Sequence, residues 1–255
     1  MPGADGCGNS RGDGAGTPGE IVPGVPYHEV LRCIGRGSFG EVWLARNVMG
    51  TWRAVKLVHR KNFESERPYE REFGGIQKFE PISRTHPGLM AILHIGINQN
   101  AGCFYYVMEV ADDLESGQVI NSETYVARTL SSEITRRGRI PFDECLQIGL
   151  SLTSALGHLH QHGLIHRDIK PSNIIFVNGS AKFADIGLVT KVGDGVTFVG
   201  SPKYMPPEGP GNPTADIYSL GKVFYGLFTG HSCDQFPELP RQPEHLAAIP
   251  AWRQI

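Results

Sequence analysis

A chain of 255 residues with 40% hydrophobic and 20% charged side chains holds enough apolar material for one large core or two smaller lobes. Its formal net charge of -2 argues against a basic nucleic-acid surface, and no apolar run reaches the length of a membrane-crossing helix. The five cysteines, Cys7, Cys33, Cys103, Cys145 and Cys233, lack metal-ligand or redox spacing, which points to free thiols in a reducing compartment.

Residues 1–26 are rich in glycine and proline and nearly devoid of large apolar side chains. Such a stretch cannot offset its ordering entropy, so a disordered tail is expected. It also lacks the apolar core of a signal peptide, so the expectation is a soluble, cytoplasmic chain, with a membrane segment beyond Ile255 left open.

Tyr27–Ile34 reads as a strand, followed by Gly35-Arg36-Gly37-Ser38-Phe39-Gly40 and a second strand through Val42, Leu44 and Ala45. Thr51–Val58 reads as a third strand, residues 69–79 as a helix, and Leu89–Ile97 and Phe104–Val110 as two more strands. After Asp112-Asp113 the pattern turns helical. Phe142–His162 carries Leu146, Ile148, Leu150, Leu152, Ala155, Leu156 and Leu159, a buried-helix pattern. Asp216–Gly230 repeats it with Ile217, Leu220, Val223, Phe224 and Leu227, and short strands are expected beside Asp168 and Asp185. A strand-rich lobe therefore precedes a helical one.

Chemistry concentrates in His166-Arg167-Asp168-Ile169-Lys170-Pro171-Ser172-Asn173, and twelve residues later in Asp185-Ile186-Gly187. The first segment offers an acid able to orient a hydroxyl, an amine for a phosphate and an amide oxygen for a hard cation. The second adds a carboxylate for that cation, and positioning with charge neutralisation is what phosphoryl transfer asks of a protein.

The glycine loop alone is compatible with an ordinary hairpin or a dinucleotide fingerprint. Strand-forming residues resume directly after Gly40, so the loop joins two strands rather than a strand and a helix. Lys56, in the apolar run Ala54-Val55-Lys56, is costly to bury without an anion, and with the loop beside it a phosphate is the better partner than solvent.

These motifs, with Pro206-Pro207-Glu208 after them, occur in one order from about Tyr27 to Gly230, and the chain resembles the serine/threonine protein kinases, in particular the bacterial enzymes of eukaryotic type. The resemblance implies an α+β, bilobal fold. Residues 27–111 would form the small β-rich lobe with one helix and the hinge. Residues 112–255 would form a larger, mainly helical lobe lacking the family's last helices.

It implies ATP and Mg2+ as cofactors and serine or threonine hydroxyls of proteins as acceptors. Ile34, Gly35, Gly37, Gly40, Val42 and Ala54 would surround the nucleotide, Met108 would be the gatekeeper, and the backbone of Glu109 and Ala111 would bond the adenine edge. Lys56 would hold the α- and β-phosphates, positioned by Glu72, with Glu70 and Glu66 as runners-up. Asp168 would take the substrate proton, Lys170 would neutralise the transferring group, and Asn173 and Asp185 would ligate magnesium. Lys170 two residues after Asp168, and Ser201 in Gly200-Ser201-Pro202, fit serine/threonine rather than tyrosine specificity. Thr197 is the candidate regulatory phosphosite facing Arg167, ahead of Thr190.

The chain also departs from the family pattern. Ile186 and Pro206 replace the usual phenylalanine and alanine, and Gly74-Gly75 sits inside the glutamate-bearing helix, which suggests a mobile helix. The run after Gly230 suggests an incomplete lobe with Glu208 unpaired. Three rivals stand beside the kinase: a catalytically silent kinase-like scaffold that binds nucleotide or a partner, a small-molecule kinase, and a metal site at His158 and His162, one helix turn apart.

Overall fold

Five antiparallel strands build the first half of the molecule: β1 (His28–Gly37), β2 (Gly40–Asn47), β3 (Trp52–His59), β4 (Ile92–Asn98) and β5 (Cys103–Met108), in the order β1-β2-β3-β5-β4. This computed structural model describes residues 24–37, 40–185, the backbone of 190–191, and 201–238. One face of the sheet buries Trp43, Val55, Leu57, Tyr105 and Val107 in a small cluster of its own. The opposite face, with Ala54, Val58, Phe104, Tyr106 and Met108, joins the main core. Alternation along each strand sends neighbouring residues to these two faces.

Helix α1 (Glu66–Phe79) crosses between β3 and β4 and buries Glu72, Gly75, Ile76 and Phe79. The Gly74-Gly75 pair lies within one continuous helix. The segment after α1 is fastened to the second half of the chain. Phe183 N–H donates to Gly88 O, and Met90 N–H donates to Phe183 O. This pairing delays β4, so Leu89 and Met90, expected as strand, instead bridge to the large lobe. A Cβ on Gly88 would lie 2.8 Å from the Ala155 Cβ, and the loop can approach its neighbouring helix only because that atom is absent.

The second half is led by α2 (Leu130–Arg137), α3 (Phe142–Gln161) and α4 (Pro213–Thr229), with short strands β6 (Leu164–Ile165), β7 (Ile174–Val177), β8 (Ser180–Phe183) and β9 (Thr190–Lys191). Cys145, Ile148, Leu152, Ala155, Leu156 and Leu159 form the buried stripe of α3. Leu146 and Leu150, although apolar, turn outward, as does Ile217 on α4. Their hydrophobicity was misleading because only the 3.6-residue stripe reaches the core.

Helix α2 escapes the hydrophobic pattern because it is short and highly charged. Its Thr129 cap accepts from Ser132 N–H, and its buried Glu133 accepts bonds from Arg128, Arg136 and Arg137. Asn212 caps α4 through Ala215 N–H, and Gly230 closes that helix with a left-handed φ of 72°. Among the described residues no helix is long and apolar enough to cross a membrane.

Candidate active site

The segment after β6 turns sharply, with Arg167 at φ 71°. A non-glycine residue holds such a conformation only where its surroundings fix it. Here the buried Asp216 carboxylate of α4 does so, accepting the backbone N–H of His166 at 2.7 Å and of Arg167 at 2.8 Å, with His160 Nε2 at 2.9 Å. From sequence, Asp216 stands at the head of a helix and of the run Asp216-Ile217-Tyr218-Ser219-Leu220-Gly221, with no role of its own. An acid in the first turn of an otherwise apolar helix was the available signal.

The turn delivers Asp168 into a compact polar cluster. Asn173 Nδ2 donates to Asp168 Oδ2 at 2.8 Å and to its backbone oxygen at 2.9 Å. Lys170 Nζ stands 2.8 Å from Asp168 Oδ2 and 2.8 Å from Ser201 Oγ, and Ser201 Oγ donates to Asp168 Oδ1 at 3.0 Å. With its amide nitrogen committed, Asn173 keeps its amide oxygen for another partner.

Across the cleft, Lys56 Nζ lies 2.6 Å from Asp185 Oδ1 and 3.6 Å from Glu72 Oε1. Lys56 and Glu72 are both buried, whereas nearly half of the Asp185 side chain faces the open cleft, at 48% exposure. Of the three glutamates considered in α1, Glu72 faces the lysine; Glu66 and Glu70 are exposed, and Glu66 pairs with Arg60.

Electrostatics follow this geometry. The Lys56 ammonium holds the Asp185 carboxyl below its ordinary range, against a smaller opposing effect of burial. Burial disfavours the Lys56 charge, but the surrounding anionic groups, Asp185 foremost, hold its pKa well above normal. Burial dominates at Glu72 and pushes its carboxyl from 4.5 to about 7, because the lysine lies closer to Asp185.

Between the sheet and the helical half lies a cavity of about 410 Å³, within the roughly 300–1,000 Å³ usual for small-molecule sites. It brings together Ile34, Gly35, Gly37, Gly40, Val42, Ala54, Lys56, Met108, Glu109, Ala111, Asn173 and Asp185. A Cβ on Gly40 would meet Leu57 O at 2.1 Å, so only glycine lets β2 start this close to β3. At the hinge, Glu109 N–H donates to Ala91 O and the Glu109 carboxylate accepts from Lys182. Among the described residues nothing accepts the Ala111 N–H. Further wall residues were not assigned from sequence, among them Met90, Tyr106, Tyr125, Thr129 and Ile175. Ile175 follows Asn173 by two residues on β7, and strand alternation after that asparagine could have revealed it.

The protein kinase domain model matches residues 28–244. The chain belongs to the protein kinase family. It is 29% identical over 213 residues to the serine/threonine-protein kinase PrkC of Bacillus subtilis, covering 80% of this chain and 30% of that protein. It is 30% identical over 233 residues to the DNA damage-responsive serine/threonine-protein kinase RqkA of Deinococcus radiodurans, covering 84% of this chain and 31% of that protein. With the CBL-interacting serine/threonine-protein kinase 7 of Arabidopsis thaliana it shares 32% identity over 250 residues, 92% of this chain and 52% of the relative. The chain thus spans between about a third and about half the length of these relatives.

The α+β architecture, with its five-stranded sheet ahead of a helical half, is that of the bilobal kinase fold. The kinase chain's Asn173 amide oxygen and Asp185 carboxylate border the same cleft, a hard-oxygen donor pair suited to Mg2+. Ile186, Gly187, Thr197 and Gly200 lie outside the described residues, as do Ser38 and Phe39 of the glycine loop and residues 1–23 of the tail; Thr190 is described by its backbone alone. Glu208 is exposed and makes no ion pair among the described residues.

The His158 and His162 rings lie 4.4 Å apart, but His158 Nε2 is bonded to Thr85 Oγ1 and His162 Nδ1 to the His158 carbonyl. Among the described residues no group of three or more histidines, cysteines or acids is arranged to hold a metal.

Proposed function

We propose that this chain transfers the γ-phosphate of ATP to serine or threonine hydroxyls of protein substrates. The observation that carries the reading is the Asp168 cluster, with Lys170, Asn173 and Ser201 all bonded to one carboxylate, at the edge of the cleft where Lys56 meets Asp185. In this reading Asp168 orients the acceptor hydroxyl and takes its proton as the new O–P bond forms and the bond to the ADP oxygen breaks. Lys170 neutralises charge on the phosphoryl oxygens.

Lys56 holds the α- and β-phosphates, and Glu72 positions it. Ile34, Gly35, Gly37, Gly40, Val42, Ala54 and Met108 enclose the nucleotide, while the Ala111 N–H and the Glu109 carbonyl serve the adenine edge. Asn173 and Asp185 hold Mg2+, which supplies charge neutralisation at the phosphates when bound. Thr197 would serve as the regulatory phosphosite.

Cys33, Cys103, Cys145 and Cys233 are free thiols, in keeping with a reducing compartment, and we place this domain in the cytoplasm. Incubation with radiolabelled ATP, Mg2+ and a mixed protein substrate tests the function. Label should appear on phosphoserine and phosphothreonine and vanish in Asp168→Ala and Asp185→Ala. Label mainly on tyrosine, or label that survives both substitutions, would refute the reading.

A further inference from the structure

Between the hinge and α2 the chain takes a detour through residues 113–129 before the helical half resumes. The detour is closed at its base. Asp113 accepts the N–H groups of Glu115, Ser116 and Val126, and Leu114 N–H donates to Val126 O. Charge-assisted hydrogen bonds to one carboxylate are stronger than neutral ones and hold the base of the loop together.

Tyr125 sits on this loop, 2% exposed, with its ring in the wall of the nucleotide cleft. Its phenol donates to the Ala111 carbonyl at 3.1 Å, and its own backbone carbonyl accepts from Arg32 Nη2. Arg32 lies on β1, two residues ahead of Ile34, where the strand enters the cleft. One residue of the large half thus touches both the hinge and the strand that leads to the glycine loop.

The arginine makes this contact at a cost. Its Nε is buried with no hydrogen-bond partner among the described residues, a loss of hydration that folding ordinarily avoids. A guanidinium drawn under a loop to reach a single carbonyl is more than surface decoration. It ties β1 to the loop at the hinge end of the cleft, level in the sheet with Leu44 and Ala54 and two residues along from the Lys56 register.

We propose that Tyr125 and Arg32 form a latch that sets nucleotide affinity. The latch holds the glycine-loop strand down at the hinge end and anchors Ala111 through its carbonyl, which orients the residue whose N–H serves the base. It rests on the ATP-cleft reading above and deepens it by naming two positioning residues. Because the Ala111 carbonyl is taken by the phenol, Ala111 presents its N–H to the cleft without its own carbonyl competing as an acceptor. The phosphoryl-transfer groups are untouched, so the latch acts on binding rather than on the chemical step.

The test uses the full chain, a fluorescent ATP analogue with Mg2+ to read Kd, and steady-state transfer to separate KM from kcat. Arg32→Ala should raise Kd and KM for ATP about tenfold, the loss of one charge-assisted bond, with the loss falling on KM rather than kcat. Arg32→Lys, which keeps a donor, should recover part of it. Tyr125→Phe, which keeps the ring and loses the bond to Ala111, should weaken binding less than Tyr125→Ala.

Wild-type Kd in Arg32→Ala and Tyr125→Ala, with unchanged circular dichroism, would overturn the latch alone. A drop in kcat and melting temperature with Kd unchanged would overturn it too, as a merely structural contact. Absence of Mg·ATP binding to the wild-type chain would overturn the cleft reading and the latch together. Should Arg32→Ala fail to fold, Tyr125→Phe decides: weaker ATP binding supports the latch and unchanged binding refutes it.

Discussion

Lys56 stands a full ångström closer to Asp185, at 2.6 Å, than to Glu72, at 3.6 Å. The lysine therefore directs its charge to the carboxylate that a magnesium ion would claim. Binding of Mg·ATP should draw Asp185 away and leave Lys56 to the phosphates and Glu72. Lys56→Met should cut phosphoryl transfer by about 100-fold or more, as removal of a charge-stabilising donor does, while the purified protein stays folded. Rates under saturating ATP together with a melting curve check both parts.

The pH dependence of stability carries a separate signature of Glu72. A carboxyl whose folded pKa is raised, here from 4.5 to about 7, is protonated more readily in the folded than in the unfolded chain. Its contribution to stability is complete below 4.5 and is lost as pH rises through about 7. Asp185 runs the other way, contributing above the ordinary carboxylate pKa of 3.8 and losing that contribution as pH falls through its lowered value. Urea unfolding of Glu72→Gln at a series of pH values should lack the decline that the wild type shows between 4.5 and 7. A decline of equal size in both proteins would rule out Glu72 as its source.

Asp216 should matter to folding and activity together. Asp216→Ala leaves the buried N–H groups of His166 and Arg167 without their acceptor. The loss should be roughly 3 kcal/mol of stability, and transfer should fall because Asp168 follows directly on the released turn. Denaturant titration gives the first number, and assay well below the melting temperature gives the second.

Gly74 offers a gain instead. A Cβ there meets nothing within 4 Å, and its neighbours are helical. Gly74→Ala should stabilise the protein by roughly 1 kcal/mol through helix propensity alone. Slower hydrogen exchange across α1 would accompany it if the two glycines loosen the helix that carries Glu72.

Much of this was readable from the residues. The order of glycine loop, Lys56, Asp168, Asn173 and Asp185 carries the cleft because each needs a particular atom type at a fixed place along the chain. The five strands were legible from β-branched and aromatic runs, although Leu89 and Met90 left their strand to pair with Phe183. Long-range pairings of that kind have no local signature. The same limit hid Tyr125, whose role depends on a carbonyl fourteen residues upstream and an arginine on a distant strand. Helix α2 was hidden for another reason: beside Leu130, its other buried residue, Glu133, is an acid neutralised by three arginines, which reads as a solvated face.

The tether at Gly88 also governs how the molecule can move. The distal end of α1 runs into residues bound to β8 and packed on α3, whereas Lys56 rides on the sheet. Rotation of the sheet, on which Tyr69 and Phe73 of α1 stack against Phe104, would then strain the helix against its anchored end. The gap from Glu72 to Lys56 becomes a gauge of that rotation, and a pair of spectroscopic labels, one on α1 and one on β3, would read domain closure directly.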